Sequence, residues 1–233
     1  MNPNDPNVVM VEAIAARLGE LRERVVFVGG CAAGLLITDP ALPAIRATQD
    51  VDVVVEVATL AEYYSLEKSL AAQGFQRDQR QGAPICRWRA GETVLDFMPT
   101  ERAILGFANR WYAQAVRTAR LVSLPSGTTI RLIHAPHFVA SKLEAFLDRG
   151  NEDFLMSHDL GDVLAVIDGR EELIAELRDA DDDARRFVAS TVARWLATPR
   201  FMAYLPGHLP GDEASQARLP ELEAILFRIA GLA

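Results

Sequence analysis

The run DVDVVVE at residues 50–56 constrains this chain more than any other stretch. In a strand, residues two apart share a face and lie about 6.5 Å apart. Val51, Val53, Val55 and Val57 therefore form one apolar face, while Asp50, Asp52, Val54 and Glu56 point the other way. A segment built like a buried strand thus opens with two carboxylates side by side. Like charges that close repel unless a cation stands between them, and oxygen-rich pairs of this kind suit Mg2+ or Mn2+. The plainer reading is a strand entry at which an Asp caps a turn or meets solvent. What surrounds the run decides between them.

Upstream, the apolar strand VVFV (25–28) ends at Gly29 and Gly30 and is followed by small apolar residues that suit a helix. Glycines in such a turn let backbone N–H groups approach an anion at a helix start. Two other glycine motifs fail on spacing. Gly29 and Gly34 stand as in a phosphate-binding P-loop, but Leu35 and Leu36 occupy the required Lys and Ser/Thr places. A dinucleotide-binding GxGxxG would need glycine where Cys31 stands, and one acid at the end of the second strand instead of two at its beginning. Downstream, TVLDFMP (93–99) alternates so that Asp96 projects from a neighbouring strand, and three acids on adjacent strands would make a two-metal site.

The chain has 233 residues, half of them apolar and a quarter charged, which is enough to bury a core as one large domain or two packed ones. Strand and helix patterns alternate up to residue 134: helical spacing at Val11, Ile14, Leu18 and Leu21, a helix over 60–73, strand-like FQRDQR, PICRWRA and TVLDFMP, a helix over 109–118, and a hairpin of RLVSLP with TTIRLI. From Ala135 the pattern is helical only, over 136–148, 154–167, 171–177, 184–196 and 219–229. The expectation is an α/β (α+β) chain, with a mixed-sheet core at 1–134 and a helical domain at 135–233 completing the cleft. The opening MNPNDPNVV lacks a basic and an apolar targeting region, and no eighteen-residue apolar run occurs, so the chain reads as cytoplasmic with no membrane partner. Cys31 and Cys86 read as reduced core residues, and no CxxC or His/Cys cluster suggests zinc. A net charge of −8 excludes a protein that coats nucleic acid nonspecifically, because that requires a basic surface.

The series GG, a spacer, RATQDVDVVVE and then VLDFMP resembles the nucleotidyltransferase superfamily of DNA polymerase β type. HAPHFVASKLEAFLDRG followed by SHDLGDVLAVIDGREEL brings it nearest to the AbiEii and MenT-like toxin-type members. The resemblance implies a metal-dependent enzyme that moves an NMP from an NTP to an acceptor hydroxyl, with Mg2+ or Mn2+ as cofactor. It also implies roles: Gly29 and Gly30 on the triphosphate, Asp50, Asp52 and Asp96 on metal, and Lys142 on the nucleotide phosphates. Asp159 stands where the family has its late acidic residue, with Asp162 as its partner. Thr48, two before Asp50, either caps the strand entry or touches nucleotide, and Arg46 is a second-tier phosphate contact. Relatives suggest tRNA as acceptor and a cognate antitoxin as a partner. The acidic charge equally suits a cationic small molecule such as an aminoglycoside.

One departure bears on turnover: Cys31 and Ala32 follow the double glycine where many relatives have Ser or Thr. A nucleotide- or partner-binding module without catalysis therefore stands as the alternative class. A tRNA acceptor would need a local basic patch, for which Arg80, Arg87, Arg89, Arg110, Arg117 and Arg120 are the candidates. Lys142 borders the apolar stripe of its helix, where a snorkelling surface lysine is the alternative. His134, His137 and His158 show no metal spacing and read as exposed or hydrogen-bonding residues, and Trp88, Trp111 and Trp195 as core anchors.

Overall fold

A computed structural model describes residues 2–42 and 45–233. The chain forms two compact units: Met1–Leu35 with Arg46–His134, and Leu36–Ile45 with Ala135–Ala233.

The first unit is built on a seven-stranded mixed sheet of order β3-β4-β5-β2-β1-β7-β6, comprising β1 (Val25–Val28), β2 (Val51–Val55), β3 (Gln76–Arg77), β4 (Arg87–Ala90), β5 (Thr93–Pro99), β6 (Arg120–Ser123) and β7 (Thr129–Leu132). β1 and β2 are central because their valines leave almost nothing for solvent: every residue of β1 is buried, and so are Val51, Val53, Val54 and Val55 of β2. β1 runs antiparallel to β2, and β2 runs parallel to β5, so the carboxyl end of β1 meets the amino ends of β2 and β5 at one edge of the sheet.

Helix α1 (Pro6–Leu18) starts at an Asp5 cap with Pro6 in its first turn, and buries Val8, Val11, Ile14, Ala15 and Leu18. The Val11-Ile14-Leu18-Leu21 spacing does not continue as one helix. Gly19, at φ 55°, closes α1, and Leu21 reaches the core from a short 3-10 turn instead. The glycine turn leads into α2 (Gly29–Leu36), and α3 (Leu60–Ala72) begins with a capping box of Thr59 and Glu62. Tyr63 of α3 ties this helix to the sheet by donating from its hydroxyl to the Phe97 carbonyl at 2.8 Å. Two further helices, α4 (Arg102–Leu105) and α5 (Tyr112–Thr118), follow β5.

The second unit contains α6 (Ala135–Arg149), α7 (His158–Gly169), α8 (Leu173–Asp179), α9 (Asp182–Leu196), α10 (Pro199–Tyr204), α11 (Glu213–Gln216) and α12 (Leu219–Ala230). Phe146, Phe154, Trp195 and Phe201 form a mutually contacting aromatic group in its core, with centroid separations of 5.2–6.1 Å. The segment Leu36–Ile45 joins these helices although it lies far upstream in the chain. The N–H groups of Thr38 and Asp39 both donate to the Gly169 carbonyl, and Arg218 holds Asp39 and Asp168 together. Pro43, within the stretch read as an irregular loop, lies outside the described residues. Among the described residues no helix is long and apolar enough to cross a membrane.

Candidate active site

Four residues stand in a row across four adjacent strands of the first unit. Val28 of β1 is the register partner of Asp52, Asp52 of β2 is the partner of Asp96, and Asp96 of β5 is the partner of Arg87 on β4. Register partners share a face and strands lie about 4.8 Å apart, so one face carries the row carboxylate, carboxylate, guanidinium. Asp50, two residues before Asp52, adds a second carboxylate at the strand entry.

Gly29 closes one end of the row. Its φ is 69°, and a Cβ built there would fall 1.8 Å from Oδ2 of Asp52. Two independent constraints thus demand glycine: a left-handed backbone and a carboxylate packed against the turn. The double glycine and the DxD run are therefore parts of one site. The N–H groups in the first turn of α2 have no partners within the helix, which makes that turn suited to an anion. Cys31 follows in this turn, buried, and its Sγ donates to the Val28 carbonyl at 3.2 Å. The thiol closes the turn onto the end of β1.

Arg87 determines how the acids are held. Its Nε donates to Oδ1 of Asp96 at 2.8 Å and its Nη2 to Oδ2 at 2.7 Å, a two-pronged grip of the kind guanidinium planes favour. Nη2 also reaches Oδ2 of Asp50 at 2.5 Å. The hydrogen bond to Asp96, set against partial burial and reinforced by the charges of Asp96 and Asp50, raises the Arg87 pKa further above its ordinary value. The cation is permanent at any working pH. Cys86, immediately before it, is buried, and burial, with Asp96 and Asp52 adding to it, pushes its thiol up to about 12. It stays protonated and is no nucleophile.

Thr48 shapes the approach to β2. Its N–H donates to Oδ1 of Asn7 at 2.8 Å, and its hydroxyl lies 3.2 Å from that oxygen and 3.1 Å from the Asp50 carbonyl. Asn7, buried in the first turn of α1, also donates from Nδ2 to the Arg46 carbonyl at 3.0 Å. One amide side chain thus fastens the strand entry that presents Asp50 and Asp52. Nothing in the spacing of the chain singled out Asn7, because its partners are 39 and 41 residues away.

Lys142, Asp159 and Asp162 come together in the second unit. Lys142 is 8% exposed, and its Nζ donates to Asp159 at 3.0 Å and to Asp162 at 2.8 Å. Arg149, seven residues along α6 and so on the same helix face, grips Asp159 through Nε at 3.0 Å and Nη2. Burial pushes the Asp159 carboxyl up, but the Lys142 and Arg149 charges outweigh it and leave it below the usual value. Two cations meet two anions, so the cluster is neutral as it stands. Lys142 is a buried pin between α6 and α7, not a snorkelling surface residue. His137 is also buried, with Nε2 2.8 Å from Asp181, while Asp181 caps α9 by accepting from the Ala184 N–H.

Among the described residues no three His, Cys, Asp or Glu side chains converge so as to hold a metal ion. Asp50 and Asp96, two of the three expected ligands, are turned onto Arg87. As arranged, the acids do not fit a three-carboxylate metal cluster.

No protein-family model matches the chain, and no curated protein matches it. Among solved structures it is similar to an antigenic nucleotidyltransferase-like protein from Paracoccidioides brasiliensis, at 20% identity and TM-score 0.51, over 86% of this chain and 94% of that one. It is also similar to the antibiotic-resistance factor ANT(2'')-Ia in solution, at 14% identity and TM-score 0.49, over 83% of this chain and 95% of that one. The first of these shows the fold: this chain has the mixed α/β architecture of nucleotidyltransferase-like proteins, a seven-stranded sheet with a helical C-terminal part.

Proposed function

We propose that this chain is a nucleotidyltransferase that moves a nucleoside monophosphate from an NTP to an acceptor hydroxyl. The observation that carries the reading is the contact between the Gly29 turn and the Asp52 carboxylate, because it places an anion-accepting helix start beside an acid. Backbone N–H groups of the Gly29–Gly30 turn receive the triphosphate. The acceptor oxygen forms its bond to the α-phosphorus as the bond to pyrophosphate breaks, and Asp52 takes the hydroxyl proton. Asp96 and Asp50, oriented by Arg87, complete the acidic wall. Support for a phosphate role of Lys142 is the motif alone, since its ammonium already serves two carboxylates.

Of the acceptor classes, the charge pattern favours a cationic small molecule over tRNA. Arg80 and Arg89 both face Asp78, and Arg87 faces Asp96 and Asp50, so half of the six arginines available for an RNA patch already meet acids. The Arg80 hydrogen bond holds Asp78 down to about 2, which keeps that pairing intact across the working pH range. A toxin role with a cognate antitoxin would go with the RNA acceptor.

The test is incubation of the full chain with each labelled NTP, with Mg2+ or Mn2+, and separately with total RNA and a panel of polyamine and aminosugar acceptors. Pyrophosphate release with label on an amino-bearing acceptor is expected. Label in RNA would move the acceptor to tRNA, and nucleotide binding without release in any arm would replace transfer with a binding role.

A further inference from the structure

The disagreement between the acid cluster and a metal site points to a device of its own. We propose that Arg87 is the resident counter-cation of this site, and that a divalent ion gains Asp50 and Asp96 only by displacing the Arg87 guanidinium. The inference rests on the reading of Asp50, Asp52 and Asp96 as the transfer-site acids.

Two observations carry it. First, the position is set by backbone register: Arg87 is the direct antiparallel partner of Asp96, so the strands themselves deliver the guanidinium to that carboxylate. Second, a single nitrogen, Nη2, lies at 2.7 Å from Asp96 and 2.5 Å from Asp50. It thereby occupies the place between two carboxylates from different strands that a bridging ion would need.

Arg87 cannot leave by losing its proton. It can leave by moving, because its side chain is 22% exposed and three methylenes separate the guanidinium from its strand. A charged nucleotide arriving at the Gly29 turn offers such a guanidinium an alternative partner in phosphate oxygen. The site thus trades one cation for another: metal onto the acids, Arg87 onto the phosphates.

The test uses Mn2+ alone, titrated into the full chain and followed by electron paramagnetic resonance of the free ion, for wild type, Arg87→Met and Arg87→Lys. Arg87→Met, which keeps the stem and removes the cation, should tighten Mn2+ binding by about tenfold or more, equivalent to ~1.4 kcal/mol. Arg87→Lys, charged but without the fork, should fall between. Circular dichroism and a thermal melt identify a variant that has lost its fold, in which case Arg87→Lys alone carries the comparison. Equal Mn2+ affinity in wild type and folded variants overturns the proposal, as does weaker binding in Arg87→Met, which would make Arg87 a positioning residue for the ligands. Transfer assays fail separately: tightened Mn2+ binding without any nucleotidyl transfer would keep the counter-cation and remove the proposed enzyme.

Discussion

Replacing Lys142 with Met should destabilise the chain by about 3 kcal/mol, because removing one partner of a buried ion pair leaves the other charge in low dielectric. The structure sets the size. Asp159 would keep Arg149, which is solvent-exposed and therefore a weaker partner, while Asp162, 3% exposed, would lose an ammonium at 2.8 Å. Methionine retains the stem that packs between α6 and α7, so the loss isolates charge from volume. In a chain of this length about 3 kcal/mol corresponds to a fall in Tm of about 6–12 °C. Urea unfolding followed by tryptophan fluorescence in a chain that keeps Trp195 and carries Trp88→Phe and Trp111→Phe reads the helical unit, since Trp195 packs on Phe146 of α6. Adding Asp162→Asn should recover part of the loss, because the buried carboxylate that faced the ammonium is then uncharged.

Acid supplies an independent check. The Asp159 carboxyl is depressed in the folded chain, so its contribution is fully present above the ordinary carboxylate pKa near 4 and is lost as pH falls through the lower folded value. The Asp159 share of the difference between wild type and Lys142→Met should therefore be flat from neutral pH to about 4 and shrink below it. A single-variant loss under about 1 kcal/mol with no pH dependence would refute the pin. A variant that is equally stable but binds NTP more weakly, with nucleoside binding untouched, would return Lys142 to the phosphates.

Three further outcomes follow from the first unit. Gly29→Ala should cost more than about 2 kcal/mol and abolish NTP binding by equilibrium dialysis; Asp52→Ala in the same chain should restore only part of the stability, since it removes the carboxylate but keeps the Asp52 Cβ at 2.7 Å and leaves φ at 69°. Asn7→Ala should cost about 1–3 kcal/mol and speed hydrogen exchange at Thr48, whose N–H loses its acceptor; unchanged exchange there would dismiss the strap. Arg80→Glu with Arg89→Glu should leave RNA binding across a salt series as weak as in wild type, and a marked loss of affinity and of salt slope would argue for an RNA acceptor after all.

The elements that the sequence made legible are those whose information is local. Val25–Val28, the double glycine and the alternation in DVDVVVE and TVLDFMP are read within a few residues, and the strands fall at Val25–Val28, Val51–Val55 and Thr93–Pro99. Side-chain hydrogen bonds moved other boundaries. The strand expected over FQRDQR shrinks to Gln76–Arg77 because Asp78 accepts from the Arg80 N–H and turns the chain. The helix expected from Phe154 starts at His158, since Asp153 accepts from the Leu155 and Met156 N–H groups and Ser157 supplies the cap. α4, α10 and α11 went unseen because four to six residues hold too little periodicity to register.

The candidate site divides along the same line. Gly29, Asp50, Asp52 and Asp96 could be proposed from strand alternation because each is a residue type out of place in its local pattern. Arg87 could not be assigned to them: in RWRA an arginine is an ordinary edge-facing residue, and only the β4–β5 register turns it onto Asp96. The sequence therefore exposes the negative half of the site and hides the positive half, since an acid in a core strand needs explaining and a basic residue between polar neighbours does not. A metal was the natural inference from three acids read without their partner. With register known, Asp50 and Asp96 already meet a cation in Arg87, and the question becomes what displaces it.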